Sequence, residues 1–365
     1  MTVAATRIAP PLALVAELTH RCPLSCAYCS NPLELERSSA ELATTDWLRV
    51  LEEAASLGVL HAHFTGGEPM ARKDLAALVR RAAELGLYSN LITSAVQLDD
   101  RAMAELAEAG VDHIQISFQD AEAASADRYG GLAGGHARKL AAAARVVAAG
   151  VSLTANIVVH RGNIDRLEAM LSMAESLGAA RVEVAHVQYY GWALLNRAAL
   201  LPTARQLAVA NATVREARAR WAGRIVVDYV VPDYFATRPK PCMGGWGRQA
   251  MLVTPSGKVL PCHAALTLPG FSFPSVRAQS LADIWNGAEA FQRFRGAAWA
   301  PDPCKSCEHF PTDLGGCRCQ AFALTGDAAR TDPVCALSPD HAIVEKALAE
   351  AEQGPLTPRR FPRRR

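Results

Sequence analysis

Three cysteines fall within eight residues near the start of the chain, Cys22, Cys26 and Cys29 in RCPLSCAYCS. Seven more lie at positions 242, 262, 304, 307, 317, 319 and 335, and none occurs between Ser30 and Pro241. Scattered core cysteines would not segregate into two dense regions around an empty one, so the pattern reads as two metal-bearing units. Thiolate is a soft donor that selects zinc, copper(I) or iron–sulfur clusters. Structural zinc sites and protein-closed four-iron clusters take four protein ligands. Three thiols spaced C-x3-C-x2-C therefore recruit a remote fourth ligand, for which His20 is a neighbour, or leave one metal position open. A second motif, TGGEP at Thr65–Pro69, places paired glycines, an acid and a turn-fixing proline together. Glycines at such a loop let the backbone approach a ligand closely.

Bulk properties narrow the class. At about 150 residues per domain, a chain of 365 holds two to three domains. Half the residues are apolar, enough for a sizeable core, and 38 basic against 36 acidic side chains leave a formal charge of only +2. That balance argues against wholesale nucleic-acid or membrane-surface binding. The N-terminal stretch MTVAATRIAPPLALVAELTHRC has no signal-peptide pattern, and no run of about 18 apolar residues could span a membrane. A cytoplasmic location is expected, and there ten cysteines serve as metal ligands or catalytic groups rather than disulfides. The basic end PRRFPRRR, Pro358 to Arg365, reads as a solvated tail.

The elements that must position these motifs are legible between the two cysteine groups. Strands are predicted at LALVAELT (12–19), HAHF (61–64), LYSNLIT (87–93), VDHIQISF (111–118), SLTANIVV (152–159) and RVEVAHV (181–187). Helices are predicted over 45–57, 72–85, 99–109, 135–149, 164–177 and 203–221. Gly58, Gly86, Gly110, Gly150 and Gly178 each follow a helical stretch and precede a strand, the C-cap position. Strand–helix alternation of this kind predicts an α/β fold, a partial (β/α)6 TIM-type barrel with chemistry at the C-terminal ends of its strands. The cysteine loop follows strand one, TGGEP strand two, ITSA strand three, and SFQD (117–120) ends strand four. From Arg224 the rhythm stops, and QAMLVTP and KVLPCHAA read as a hairpin around Ser256-Gly257. The expected organisation is an N-terminal extension (1–11), a barrel (12–223), a cysteine-rich domain (224–345) and a basic tail (346–365).

The pattern C-x3-C-x-aromatic-C, matched as Cys22, Cys26, Tyr28 and Cys29, together with GGEP on the next loop, resembles the radical S-adenosylmethionine (SAM) enzymes. The resemblance implies that the three thiolates hold a [4Fe-4S] cluster whose fourth iron takes the amino and carboxylate groups of SAM. It further implies that an electron from the cluster cleaves the sulfonium, and that the 5′-deoxyadenosyl radical takes a hydrogen atom from substrate. Gly66, Gly67, Glu68 and Pro69 are then the loop facing the SAM ammonium. By analogy Ser117 and Asn156, with Thr93 behind them, are the polar strand ends expected to hold its ribose and carboxylate.

The second cysteine group resembles the SPASM extension of radical SAM peptide-modifying enzymes, which holds two auxiliary iron–sulfur clusters. Cys242 is followed by fourteen residues, Gly257, four residues and Cys262, and later by Cys304, Cys307, Cys317 and Cys335. One departure stands out: where the extension expects a cysteine after Cys307 this chain has Asp313, and Cys319 is extra. The resemblance implies Cys242, Cys262 and Cys317 on auxiliary cluster one, [2Fe-2S] or [4Fe-4S], and the adjacent Cys319 is the natural fourth ligand. It implies Cys304, Cys307, Asp313 and Cys335 on auxiliary cluster two, a [4Fe-4S]. PTDLGG is also a turn sequence in which Asp accepts backbone hydrogen bonds.

NLITSAV, ISFQD, NIVVHRGNID, VQYYGWALLNRAALLP and GRQAMLVTPSGKVLPCHAA are similar to the branch of this family that acts in pyrroloquinoline quinone (PQQ) biosynthesis. That resemblance implies a carbon–carbon bond between Glu and Tyr side chains of a small precursor peptide, presented by a peptide-chaperone protein. An external electron donor is expected as well. Tyr189, Tyr190 and Trp192, after strand six, are candidates to wall the substrate site or to form a core cluster, and His160 and His186 to carry protons. Another peptide maturase, such as a sulfatase-modifying enzyme, and a zinc-stabilised peptide-binding scaffold are the alternatives.

Overall fold

The computed structural model describes residues 8–351 and 356–359. Seven parallel strands run in chain order across a curved sheet: β1 (Ala13–Thr19), β2 (His61–Gly66), β3 (Tyr88–Thr93), β4 (His113–Phe118), β5 (Ser152–Val159), β6 (Arg181–His186) and β7 (Val226–Val230). Between them lie α1 (Thr44–Leu57), α2 (Leu75–Glu84), α3 (Asp100–Glu108), α4 (Ala123–Gly130), α5 (Gly135–Ala148) and α6 (Leu167–Ser176). After β6 come the short α7 (Gly191–Leu195) and α8 (Arg197–Leu200), then the long α9 (Ala204–Arg220). The five predicted cap glycines all have positive φ, between 70° and 98°, which a residue without Cβ adopts at little steric cost.

Alternation along the strands sorts the two faces of the sheet. In β4 Ile114, Ile116 and Phe118 are buried with the apolar faces of the helices, while His113, Gln115 and Ser117 point the other way. Leu14, Ala16, Phe64, Ala155, Ile157, Val182 and Val184 repeat the pattern around the sheet. The helix-facing side is thus an apolar seal, and the concave side is polar. Such an arrangement supplies both burial and a wet interior in which a ligand can sit.

The six predicted strands are β1–β6, and the parallel run continues one strand further. IVVDYVV follows α9 and Gly223 just as earlier strands follow a helix and a glycine, and it pairs with β6 as β7. At the opposite edge the predicted hairpin forms as β8 (Ala250–Val253) and β9 (Val259–Leu260), antiparallel to each other. β8 pairs in parallel with β1, Ala13 opposite Ala250 through Ala16 opposite Val253. This pairing carries Cys262, just past β9, to the same edge of the sheet as the first cysteine loop. The helix α4 was absent from the strand–helix reading; it ends where Gly131 takes the left-handed conformation.

Beyond β9 the chain is a series of short turns and helices, from which Phe294 and Cys319 pack with Cys242 and Trp246 of the segment before β8. The helix Ala342–Ala349 buries Val344 and Ala347 against Tyr189, Leu200 and Tyr234. The solvated-tail expectation needs correction at one position: Pro358 is exposed, but Arg359 is 5% exposed and packs on the cysteine loop. Residues 360–365 lie outside the described residues, as do 1–7 and 352–355. Among the described residues no helix is long and apolar enough to cross a membrane.

Candidate active site and metal centres

Cys22, Cys26 and Cys29 sit on the loop that leaves β1, partly accessible, and none of the ten cysteines is in a disulfide. Burial pushes the Cys22 thiol up to about 12 and also raises that of Cys26. The pocket therefore favours neutral thiols until the charge of a metal is added, which is how thiol ligands couple binding to proton release. Tyr28, between Cys26 and Cys29, receives a hydrogen bond from Gln119 Nε2 at 2.6 Å, and its ring stacks on His160.

TGGEP is locked onto this loop. The N–H of Gly67 donates to the Thr19 carbonyl at 2.6 Å and that of Glu68 to the Arg21 carbonyl at 2.7 Å. Gly66 has φ 134°, and a Cβ there would lie 2.3 Å from the Thr19 carbonyl oxygen; at Gly67 it would lie 2.5 Å from those of His20 and Arg21. The glycines thus admit the backbone of the cysteine loop itself. Glu68 is fully buried. It accepts from Thr93 Oγ1 at 2.6 Å, Ser94 N at 2.8 Å, Met70 N at 3.1 Å, and also from the Ser94 hydroxyl. Thr93 donates its hydroxyl proton to Glu68 and accepts the Ala95 N–H at 2.8 Å. The Glu68 carboxylate is itself saturated, so the acceptors this turn offers a ligand are main-chain carbonyls. Pro69 opens the short 3-10 turn that follows.

Ser117 and Asn156 are direct neighbours in the β4–β5 register. The Asn156 Oδ1 is buried and has no hydrogen-bond partner. Ser117 also uses its carbonyl to receive Lys139 Nζ at 2.8 Å. Lys139 sits on the buried face of α5 with Ala142, Ala143 and Val146, and its ammonium reaches Gln119 as well. Burial lowers it to about 8 against the opposing pull of Cys26, Glu68 and Cys22. Sequence reasoning missed this lysine, although a charge on the apolar face of a predicted helix was a readable signal.

Cys242, Cys262, Cys317 and Cys319 form a closed ring in which each thiol is within hydrogen-bonding reach of two others. Tyr190 joins them, its hydroxyl 3.0 Å from Cys317 Sγ. Cys304, Cys307, Asp313 and Cys335 line one small cavity with Thr331 and Gly315. Asp313 Oδ1 accepts the Gly315 N–H at 2.9 Å, so the turn role is real and coexists with a place at that cavity. Buried Asp332 braces both groups, accepting from Cys317 N at 2.8 Å and Val334 N at 3.1 Å. Among the described residues no three His, Cys, Asp or Glu side chains converge as a single metal ion requires. A cluster asks instead for one donor at each of several iron corners.

A cavity of about 250 Å³ separates the two regions, lined by Ser30, Asn31, Thr65 and Gly66 on one side and Cys262 and His263 on the other. The three aromatics after β6 split up. Tyr189 packs on Tyr234 in the core under the C-terminal helix, Tyr190 faces the thiol ring, and Trp192 is buried with its indole N–H unpartnered. His160 and His186 are buried; burial lowers them to about 3 and about 4, which keeps both neutral. His20, weighed as a zinc ligand, uses Nδ1 to accept the Glu36 N–H at 2.9 Å.

With the geometry in place, comparison with known proteins is direct. The profile of the radical SAM superfamily matches residues 16–174, and that of the SPASM iron–sulfur cluster-binding domain matches 242–308. A PqqA peptide cyclase of Granulibacter bethesdensis is 60% identical over 342 residues, covering 94% of this chain and 91% of that protein. One from Rhodopseudomonas palustris is 60% identical over 346 residues, covering 94% and 92%. Among solved structures, Streptococcus suis SuiB bound to S-adenosylmethionine superposes with TM-score 0.75 over 90% of this chain and 77% of that one, at 19% identity. A SuiB complex with its precursor peptide SuiA gives 0.73 over 90% and 76%, also at 19% identity. At such identities the likeness is one of fold.

Proposed function

This chain belongs to the PqqA peptide cyclases, radical SAM enzymes with a SPASM iron–sulfur domain, and from that premise we propose that it joins a Glu and a Tyr side chain of a small precursor peptide through a carbon–carbon bond in PQQ biosynthesis. The observation that carries the reading is the cavity between the cysteine loop and the thiol ring, walled by Thr65 and Gly66 opposite Cys262 and His263. A reacting peptide segment held there has the SAM region on one side and a second metal centre on the other.

In this reading Cys22, Cys26 and Cys29 hold the [4Fe-4S] cluster that binds SAM. When bound, cluster and SAM supply reductive cleavage of the sulfonium and hydrogen-atom abstraction, chemistry that no side chain offers. The residues of the chain then bind, orient and exclude water. Main-chain carbonyls around Gly67 and Glu68 accept from the SAM ammonium. Ser117 and the unpartnered Asn156 Oδ1 accept from its ribose, an arrangement supported by their adjacent register. Tyr190, at the thiol ring, lines the neighbouring cavity with Gly191 and Leu194.

Cys242, Cys262, Cys317 and Cys319 hold auxiliary cluster one, [2Fe-2S] or [4Fe-4S], supported by their mutual contact. Cys304, Cys307, Asp313 and Cys335 hold auxiliary cluster two, a [4Fe-4S], supported by their shared cavity. A peptide-chaperone protein presents the substrate, an external donor supplies electrons, and the reaction runs in the cytoplasm. The test is anaerobic incubation of the reconstituted enzyme with SAM, reductant, precursor peptide and chaperone, followed by tandem mass spectrometry. The expected product is the peptide lighter by a pair of hydrogens, with fragmentation blocked between a Glu and a Tyr. Deoxyadenosine with an unmodified peptide under every donor tried overturns the cross-linking assignment.

A further inference from the structure

The end of the described chain returns to the cysteine loop across 330 positions of sequence. Arg359 Nη1 lies 3.3 Å from Cys29 Sγ. Its Nη2 donates to the His20 carbonyl at 3.0 Å, and its backbone N–H to the Ser25 carbonyl at 3.2 Å. Asn196, in the turn between α7 and α8, fastens the same strap. Its Oδ1 accepts the Thr357 N–H at 2.7 Å, and its Nδ2 donates to the carbonyls of Thr357 and Ala27, each at 2.8 Å. The loop holding Cys22, Cys26 and Cys29 is thus clamped from both sides, by Arg359 at one point and by Asn196 at another.

Arg359 is 5% exposed. A guanidinium is taken out of water only where carbonyls, an anion or both compensate it. The His20 carbonyl meets one of its donors and the Cys29 sulfur another, while the Ser25 carbonyl holds the Arg359 backbone N–H. Three thiolates around an iron–sulfur cluster concentrate negative charge at that sulfur, and a charge-assisted N–H···S bond is the complement it calls for. Hydrogen bonds to cluster sulfurs and nearby positive charge stabilise the reduced cluster and raise its potential. The Arg359 charge also opposes the burial that raises the Cys22 and Cys26 thiols.

We propose that Arg359 is a positioning residue for the SAM-binding cluster, and that the C-terminal segment is a strap which holds the cysteine loop closed and sets the cluster's reduction potential through the bond to Cys29. The inference rests on reading Cys22, Cys26 and Cys29 as the cluster ligands.

The experiment uses full-length reconstituted enzyme, R359Q, R359K and a chain ending at Ala351. The readout is a redox titration followed by the paramagnetic resonance signal that changes on adding SAM, with release of that cluster's iron to a chelator as a second measurement. R359Q is expected to move the midpoint to more negative potential and to release iron faster. R359K, which keeps the charge without the planar fork, should fall between R359Q and the unmodified enzyme, and the truncated chain should behave as R359Q or worse. If R359Q fails to retain the cluster while R359K retains it, the strap is also supported. An unchanged midpoint and release rate in R359Q and in the truncated chain overturns the proposal. Absence of any SAM-responsive signal in the unmodified enzyme overturns the ligand reading itself, and this inference with it.

Discussion

The hydroxyl of Tyr190 lies 3.0 Å from the sulfur of Cys317, so the turn that ends the sixth barrel strand touches the thiol ring of the C-terminal domain directly. Tyr190→Phe removes that bond and keeps the ring. Stability should change by about 1 kcal/mol or less. If the ring holds auxiliary cluster one, as proposed, its midpoint should move negative, because hydrogen bonds to sulfur stabilise the reduced form. Redox titration monitored by paramagnetic resonance measures it, and a midpoint equal to the unmodified enzyme's would sever Tyr190 from that cluster.

Glu68 is the hinge between the cysteine loop and β3, with four donors on one buried carboxylate. Glu68→Ala strands those donors, each worth about 1–3 kcal/mol when left unpaired in the interior. Unfolding in denaturant should show a loss of several kcal/mol, and deoxyadenosine formation should collapse. Glu68→Gln keeps two of the acceptor sites and should fall between. Equal stability of Glu68→Ala and the unmodified chain would refute the hinge role.

At Asp313 the turn and ligand roles separate by substitution. If the carboxylate binds cluster two, Asp313→Cys keeps the cluster and shifts its potential downward, because thiolate donates more charge than carboxylate. Asp313→Ala opens the position and lowers product yield. A turn residue alone behaves differently: Asp313→Asn still accepts the Gly315 N–H. Identical resonance spectra of the reduced auxiliary clusters across Asp, Cys, Ala and Asn would leave Asp313 as a turn residue only.

Acidification should weaken the fold through its buried histidines. Burial lowers His186 from 6.5 to about 4 and His160 from 6.5 to about 3. Between 6.5 and those values the unfolded chain binds protons that the folded chain refuses, so stability falls as pH drops through that window. The full effect is on the order of 3 kcal/mol for His186 and about 5 kcal/mol for His160. Anaerobic denaturation from about pH 7 to about pH 5.5 samples its first part. His186→Gln should flatten the slope, and parallel slopes for the two proteins would remove His186 from the account.

Short-range patterns were readable because their causes are local. The C-x3-C-x2-C thiols share one loop. The cap glycines mark helix ends by their own φ, and the alternation of Ile114, Ile116 and Phe118 with His113, Gln115 and Ser117 assigns faces strand by strand. Those features predicted β1–β6 to within a few residues and set TGGEP beside the cysteine loop. They did not reveal β7, whose strand lies past the expected domain boundary, nor the use of Gly66 and Gly67 to admit the backbone of Thr19–Arg21.

The sequence by itself determined the chemistry available: soft donors in two groups, an open count of three at the first, and an α/β frame with its loops at one end. Only the tertiary structure decided which side chains those donors meet. Pairing β8 with β1 is what carries Cys262 to the mouth of the barrel. The saturation of Glu68 by Thr93 and Ser94 depends on β3 lying beside β2. The contact of Arg359 with Cys29 joins positions 330 apart. No local propensity encodes such contacts, because their position is set by the closure of the whole chain around the sheet. A charged residue in a basic tail and one buried against a cysteine look the same until that closure decides which is taken out of water.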